Sequence, residues 1–149
     1  MRSHASAVVI GGGVIGCSIL YHLTKLGWTD VVLLERSELT SGSTWHAAAN
    51  IHGLHDNNIT RIQNYTMDLY NALEAETGQS CGVFQPGSPY LAQTEAREHQ
   101  LRLQAAKAKY YGLNFHEVTR DEAERLHPLV NFDGIRCIMF EASGGNVDP

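Results

Sequence analysis

Ala7-Val8-Val9-Ile10-Gly11-Gly12-Gly13-Val14-Ile15-Gly16 is the stretch that decides the fold of this chain. Its first four residues are apolar and mostly β-branched, which is typical of a buried parallel strand. Three glycines follow, and apolar side chains then recur at helical spacing over residues 14–26, with Gly27 as the C-cap. Residues 31–34 repeat the buried-strand pattern. This order of strand, helix and strand predicts a right-handed βαβ unit.

The glycines between the first strand and the first helix form the pattern G-x-G-x-x-G. Gly11 permits a tight turn, Gly13 lets the backbone approach a pyrophosphate, and Gly16 lets the helix pack closely against the strand. The pyrophosphate would lie at the helix N-terminus, where unpaired N–H groups and the helix dipole favour an anion. Glu35 ends the second strand, where a carboxylate accepts hydrogen bonds from ribose hydroxyls and disfavours the 2′-phosphate of NADP. These features predict an adenine dinucleotide site but do not separate FAD from NAD.

The residues after Glu35 favour FAD. In a nicotinamide-dependent enzyme, the second strand usually leads into another crossover helix and a third parallel strand. Here residues 36–58 are rich in Ser, Thr, Gly, His and Asn, and no buried third strand follows promptly. We therefore expect a loop in this region and a flavin-binding fold. An NAD-dependent dehydrogenase with an unusual loop is the alternative.

Two runs carry a resemblance to a known family, namely Leu33-Leu34-Glu35-Arg36 and Thr40-Ser41-Gly42-Ser43-Thr44-Trp45-His46-Ala47-Ala48. Together with residues 73–78, 87–92 and 147–149, they resemble the dimethylglycine and sarcosine dehydrogenases of the D-amino-acid-oxidase-like flavoprotein superfamily. The resemblance extends over essentially the whole chain, and G-S-T-W-H-A-A at residues 42–48 is its most specific part. Asn50 departs from the family, whose members often carry glycine after the alanines.

The resemblance implies FAD as the cofactor, bonded covalently at the 8α-methyl group of the flavin to His46. Ser43, Thr44 and the N–H groups around them would hydrogen-bond the pyrophosphate or the ribityl chain. The cofactor-binding residues predicted from the fingerprint and from the resemblance are Gly11, Gly13, Val14, Ile15, Gly16, Glu35, Arg36, Ser43, Thr44, Trp45, His46, Ala47 and Ala48.

The resemblance also implies an FAD-dependent amine oxidoreductase that demethylates a methylated glycine, either dimethylglycine or sarcosine. The electrons would pass from an N-methyl group to the flavin, and then to oxygen or an electron-transfer flavoprotein. The methyl carbon would leave as formaldehyde, or tetrahydrofolate would take it up if a C-terminal domain exists beyond this chain. No catalytic residue is assigned, because the family's substrate-contacting groups lie mostly beyond Pro149. A non-catalytic regulatory paralogue of the same fold, similar to a phosphatase regulatory subunit, is a second alternative.

Helices and strands alternate in the rest of the sequence pattern. We expect helices at residues 59–77, 95–111 and from 120 to a point before Pro128, and strands at residues 81–84, 90–92, 115–118 and 135–140. The predicted fold is α/β, with a Rossmann-like FAD-binding βαβ unit followed by the start of an α+β substrate domain. We assign residues 1–80 to part of the FAD-binding domain and residues 81–149 to the beginning of the substrate domain. We expect such a piece alone to bind FAD poorly and to have no turnover.

Composition excludes several classes of function. The formal net charge of the 149 residues is −5 and no run of Lys or Arg occurs, so we expect no nucleic-acid partner. No apolar stretch approaches the ~20 residues of a membrane-spanning helix. The polar first residues carry no targeting signal, and three scattered cysteines suit a reducing compartment, so we expect a cytoplasmic location. His46, His52 and His55 with Asp56 lack the second compact ligand pair of a zinc site, so we expect no metal.

Overall fold

The computed structural model describes residues 3–55 and 58–149. These residues form two compact units, one of which extends to Ala48 and includes Pro149, while the other runs from Ala49 to Asp148. In chain order the elements are β1 (Ala7–Ile10), α1 (Val14–Lys25), β2 (Val31–Leu34), β3 (Asn50–Ile51), α2 (Ile59–Thr77), β4 (Ser88–Ala92), α3 (Glu95–Tyr110), β5 (Phe115–Glu117), α4 (Arg120–Leu126), β6 (Cys137–Glu141) and β7 (Gly145–Asn146).

The first unit is the βαβ unit predicted from the sequence. β1 and β2 pair in parallel, in a register that ends with Ile10 opposite Leu34, and α1 supplies the crossover that parallel strands require. Leu26 is the C-cap residue of α1. Gly27 follows it with a φ of 86°, a left-handed conformation that favours glycine.

The prediction that β1 and β2 are fully buried is wrong for this chain. Val9 is 9% exposed, whereas its neighbours Val8 and Ile10 are 51% and 85% exposed. α1 packs against both strands and so covers the face to which Val9 points. Side chains of a strand alternate between two faces, and those on the other face of this sheet remain accessible.

The second unit is built on an antiparallel sheet with the strand order β4-β6-β5. Every residue of the central strand β6 is buried, and its side chains alternate between two apolar clusters. The first cluster includes residues of α3 and contains Leu54, Ala92, Leu101, Ala108, Phe115, Cys137 and Met139. The second includes a residue of α4 and contains Val118, Ala123, Phe132, Ile138 and Phe140. The period of two along β6 therefore places this strand at the centre of the core.

The three helices predicted for this region are confirmed. α2 spans Ile59–Thr77 and ends at Gly78, which has a φ of 77°. Thr94 and Thr119 cap α3 and α4, because each hydroxyl oxygen accepts the N–H of the residue three positions later, at 3.2 Å and 3.3 Å. In the described part of the chain, no helix combines the length and the apolar character needed to cross a membrane.

Two short strand segments differ from the sequence prediction. The predicted strand at residues 81–84 is wrong, since only Phe84 forms an isolated bridge, with Asn146. The loop predicted after β2 contains β3, which pairs antiparallel with β7. A two-residue strand is too short to show a hydrophobic period, so the sequence gives no local signal for either partner.

The assignment of residues 1–80 to FAD binding and of residues 81–149 to the substrate remains a prediction. The compact units divide between Ala48 and Ala49, and a division by packing does not show which ligand each part holds.

Ala49 has a φ of 54°, which is uncommon for a residue with a side chain.

Candidate functional site

The turn between β1 and α1 depends on two of the fingerprint glycines. Gly11 has a φ of 102°, which favours glycine, and its N–H donates to the carbonyl oxygen of Leu34 at 2.8 Å. A Cβ on Gly16 would overlap the carbonyl oxygen of Gly11 and would lie 3.5 Å from Cγ1 of Val9. Glycine at position 16 therefore lets α1 begin directly against the end of β1.

The N-terminus of α1 receives its side-chain cap from a distant loop. Gly13 is the N-cap residue and offers no side chain, while Oγ1 of Thr44 accepts the N–H of Val14 at 3.0 Å. A Cβ on Gly13 would lie 3.2 Å from that oxygen, so glycine leaves room for Thr44. The other first-turn N–H groups have no acceptor within the helix. Such N–H groups, at the positive end of the helix dipole, bind anions.

Two backbone N–H groups hold the carboxylate of Glu35. Gly12 donates to Oε2 at 2.7 Å and Ser37 donates to Oε1 at 2.9 Å. These bonds, that of Gly12 above all, keep the pKa of the Glu35 carboxyl below its ordinary value. A carboxylate offers about four acceptor positions, so the ionised Glu35 retains capacity for ligand hydroxyl groups.

The segment of residues 40–47, which we call the linker loop, is anchored to the same turn. The N–H of Thr40 donates to the carbonyl oxygen of Gly12 at 2.9 Å, and the N–H of Trp45 donates to the carbonyl oxygen of Thr40 at 3.1 Å. Thr40 has a φ of 63°, an outlier for a β-branched residue. Strain of this kind persists where the surrounding structure over-determines the backbone, and it clusters at functional sites.

The imidazole of His46 bonds within the linker loop. Its Nδ1 lies 3.0 Å from the carbonyl oxygen of Gly42. Because a carbonyl oxygen only accepts, Nδ1 carries the hydrogen in this bond, and the neutral ring keeps its lone pair on Nε2. His46 is exposed.

These groups surround an open cleft of about 800 Å³ in the first unit. The predicted cofactor-binding residues that line it are Gly11, Gly13, Val14, Ile15, Gly16, Glu35, Arg36, Ser43, Thr44 and Ala47. The predicted residues outside its lining are Trp45, His46 and Ala48. Lining a cleft does not establish contact with FAD, so the roles of all thirteen remain predictions.

The cleft also has lining residues that the sequence analysis did not single out, namely Val9, Ile10, Ile19, Ser37, Thr40, Ser41 and Gly42. A signal existed for some of them. Thr40, Ser41 and Gly42 belong to the run that carries the family resemblance, and Ile19 lies one helical turn after Ile15. Ser37 contributes a backbone N–H, which any residue except proline would supply, so its identity gave no signal.

The histidines considered for a metal site lie in the second unit, apart from His46. The rings of His52 and His55 stack at a centroid distance of 4.4 Å, and burial lowers the pKa of His52. Asp56 lies outside the described residues. Over residues 3–55 and 58–149, no three potential ligands come together in a way that could hold a metal ion.

Comparison with known families identifies the framework that carries this cleft. The family described as FAD-dependent oxidoreductase (DAO) matches residues 6–149. The chain belongs to this family. Membership supports FAD over NAD as the dinucleotide, and it accounts for the fingerprint and for the loop that follows β2.

Two relatives in the family are similar over the whole chain. The chain is 40% identical over 149 residues to the mitochondrial dimethylglycine dehydrogenase of Rattus norvegicus. The aligned region covers 99% of this chain and 17% of that relative. It is 37% identical over 151 residues to the mitochondrial sarcosine dehydrogenase of Mus musculus. This aligned region covers 100% of this chain and 16% of that relative. The chain therefore spans less than a fifth of the length of either relative.

A solved structure confirms the predicted fold class. The L-proline dehydrogenase of P. horikoshii matches this chain with a TM-score of 0.90 and 23% sequence identity. The match covers 100% of this chain and 39% of that protein. At this level of identity the likeness establishes the fold alone.

Proposed function

We propose that this chain forms the adenosine-, pyrophosphate- and flavin-linking part of an FAD-dependent amine oxidoreductase that demethylates dimethylglycine or sarcosine. One juxtaposition carries the proposal: a single cleft joins the first turn of α1, the carboxylate of Glu35 and the linker loop. Family membership supports FAD. Identities of 40% and 37% to a dimethylglycine dehydrogenase and a sarcosine dehydrogenase support a methylated glycine as the substrate.

The residues present fit FAD. Gly11 and Gly16 provide a turn that no Cβ obstructs, so that a pyrophosphate could approach the first-turn N–H groups of α1. Glu35 is ionised well below neutral pH because backbone N–H groups lower its pKa, and an anionic carboxylate is a strong acceptor for the ribose hydroxyls. The same negative charge would repel a 2′-phosphate, which disfavours NADP.

We also propose that His46 bonds covalently to the 8α-methyl carbon of the flavin through Nε2, with loss of one methyl hydrogen and the imidazole N–H hydrogen and with oxygen as the acceptor of the two electrons. The bond from Nδ1 to the carbonyl oxygen of Gly42 leaves the lone pair on Nε2. His46 itself does not line the cleft, but Ser43, Thr44 and Ala47 of the same loop do. An imidazolyl substituent withdraws electrons and would make the flavin a better acceptor, while the bond would fix the orientation of the ring.

The residues of this chain would bind and orient the cofactor. FAD, when bound, supplies the chemistry of accepting a hydride equivalent from the N-methyl group of the substrate. The substrate amine must first lose its proton, because a protonated amine has no lone pair to assist the loss of hydride. The electron acceptor in this proposal is oxygen or an electron-transfer flavoprotein, and tetrahydrofolate takes part only if a further domain binds it.

We also propose a cytoplasmic location, which the free thiols of Cys17, Cys81 and Cys137 support.

Mass spectrometry of the denatured protein tests the proposal. The complete protein that carries this chain should show the mass of one FAD less the two hydrogens lost on forming the C–N bond. His46→Ala should lose this addition, whereas His99→Ala, which replaces an exposed histidine of α3, should keep it. FAD that dissociates from the unsubstituted protein on denaturation would contradict the covalent bond alone. The absence of any flavin would contradict the whole proposal and would favour a regulatory paralogue.

A further inference from the structure

We infer that Thr44 is a positioning residue for flavin attachment, because its hydroxyl joins the linker loop to the N-terminus of α1 and thereby sets the position of His46. This inference rests on the proposed function. The observation behind it is the hydrogen bond from the N–H of Val14 to Oγ1 of Thr44, at 3.0 Å and across 30 residues of sequence.

Thr44 differs from its neighbours in the direction of its side chain. It is partly buried, while Ser43, Trp45 and His46 are exposed. The loop backbone around it is tied by short-range bonds, since the N–H of His46 donates to the carbonyl oxygen of Ser43 at 3.2 Å and that of Ala47 donates to Thr44 at 3.1 Å. His46 therefore belongs to the same tight turn as Thr44, and a displacement of Thr44 would displace the imidazole.

The linker loop has two attachments to the phosphate-binding turn, and only one of them involves a side chain. At its start, the N–H of Thr40 donates to the carbonyl oxygen of Gly12 at 2.9 Å, and this backbone bond is independent of residue 44. Nearer to His46, the loop is held by the hydroxyl of Thr44. Loss of that hydroxyl would leave the first attachment and the bond from the N–H of Trp45 to the carbonyl oxygen of Thr40 intact, and would remove the side-chain bond that holds the loop next to His46 against α1.

The hydroxyl of Thr44 also has capacity for an anion. A hydroxyl group has one hydrogen to donate and two lone pairs that accept, and the N–H of Val14 uses a lone pair. Within residues 3–55 and 58–149, the hydroxyl donates to no other group. Its hydrogen is therefore available to a phosphate oxygen.

Two substitutions remove the hydrogen bond from opposite sides. Thr44→Val deletes the acceptor and keeps the shape of the side chain. Val14→Pro deletes the donor N–H and places the ring Cδ where that hydrogen lies, so that Thr44, whose Oγ1 is 3.0 Å from the nitrogen, must also move away. Proline is suited to this first helical position, and Gly13 before it is extended, with φ −76° and ψ 180°, as a residue preceding proline requires. Thr44→Ser keeps the hydroxyl, and Thr24→Val is the matched control on an exposed threonine of α1.

The experiment measures the rate of covalent attachment when the complete apoprotein is mixed with saturating FAD, so that weakened binding does not slow the reaction. We expect Thr44→Val and Val14→Pro to attach FAD on the order of tenfold to a hundredfold more slowly, as for a reacting group misplaced by up to ~1 Å. Thr44→Ser and Thr24→Val should attach it at nearly the unsubstituted rate. The double variant should be no slower than Val14→Pro alone, because both substitutions remove the same bond.

Several results would overturn the inference. Attachment at the unsubstituted rate in both Thr44→Val and Val14→Pro would refute it, and so would a Thr44→Ser variant as slow as Thr44→Val. Both outcomes leave the proposed function standing, since the unsubstituted protein still forms the adduct. If the unsubstituted protein forms no adduct, the covalent part of the proposed function fails and the inference fails with it. FAD affinity in the His46→Ala background provides a readout separate from attachment, and Thr44→Val should reduce it by about tenfold, the equivalent of ~1.4 kcal/mol, because one hydrogen bond to a phosphate oxygen is lost.

Discussion

Gly16→Ala tests whether the close approach of α1 to β1 creates the phosphate-binding turn. The new Cβ would overlap the carbonyl oxygen of Gly11 and lie 3.0 Å from its carbonyl carbon. Because both atoms belong to the backbone, they move only with the end of β1. α1 must therefore shift by on the order of 1 Å to reach the ~3.5 Å separation of non-bonded heavy atoms.

The change in the free energy of unfolding caused by Gly16→Ala is the sum of two opposing effects. Overpacking typically destabilises by about 1–3 kcal/mol, and a backbone contact belongs at the upper end of that range. Replacing glycine by alanine regains about 0.4–1 kcal/mol by restricting the unfolded chain, so we expect a net loss of about 2 kcal/mol in the free energy of unfolding. A shift of the first-turn N–H groups should also break at least one hydrogen bond to a phosphate. Such a bond to a charged group contributes ~1.5–3 kcal/mol, so the Kd for FAD should rise by about tenfold or more.

Urea denaturation and FAD titration of the complete protein measure both effects. Gly42→Ala is the control for stability, because a Cβ at Gly42 would meet no atom within 4 Å. It should be as stable as the unsubstituted protein or slightly more stable. If Gly16→Ala matched the unsubstituted protein in both stability and FAD affinity, the packing argument for the fingerprint would be wrong.

Two further predictions concern carboxylates. Backbone N–H groups lower the pKa of Glu35 from the ordinary value of 4.5, so ionised Glu35 contributes stability above that value, and the contribution is lost as the pH falls through the lowered pKa. The melting temperature should therefore fall less steeply with decreasing pH in Glu35→Gln than in the unsubstituted protein. If both proteins show the same dependence of melting temperature on pH, the stabilising role of ionised Glu35 would be refuted. The buried carboxylate of Glu141 accepts the N–H of Gly53 and the O–H of Tyr90. Glu141→Val should lower the free energy of unfolding by about 3 kcal/mol, since each unpaired buried donor costs ~1–3 kcal/mol. Glu141→Gln should lower it less. Urea denaturation measures both losses, and equal losses would contradict the role of these hydrogen bonds.

Much of the fold could be predicted because its signals are local. β1, α1 and β2 each fall within a short run with a clear apolar pattern, and glycines mark the ends of β1 and α1 while Glu35 marks the end of β2. The caps of α3 and α4 are equally local, since Thr94 and Thr119 bond N–H groups three residues away. Structure that depends on distant partners was missed. β3 and β7 are two residues long and pair across most of the second unit, and no pattern within either segment indicates the other.

The candidate site likewise contains residues that could be predicted from local sequence and residues that could not. The fingerprint and Glu35 were found from spacing, because Gly11 and Gly16 are required by the local backbone. The contacts of Thr40 and Ser37 were not found, because both residues act through main-chain N–H groups. The burial of Glu141 gave no signal either, since a carboxylate after four apolar residues resembles the end of a strand as readily as a core position.

The fingerprint positions are constrained by neighbours of different kinds, and this determines how much the motif alone can establish. Position 16 meets the backbone of Gly11, so the requirement for glycine there comes from the βαβ fold itself. Position 12 would meet Cδ2 of Leu39 at 2.5 Å, and that exposed side chain can rotate away. Position 13 would meet the hydroxyl of Thr44 at 3.2 Å, in a loop 30 residues further along the chain. A match to G-x-G-x-x-G therefore indicates the fold through Gly16, whereas the contact at position 13 connects this dinucleotide turn to the linker loop on which the FAD proposal depends.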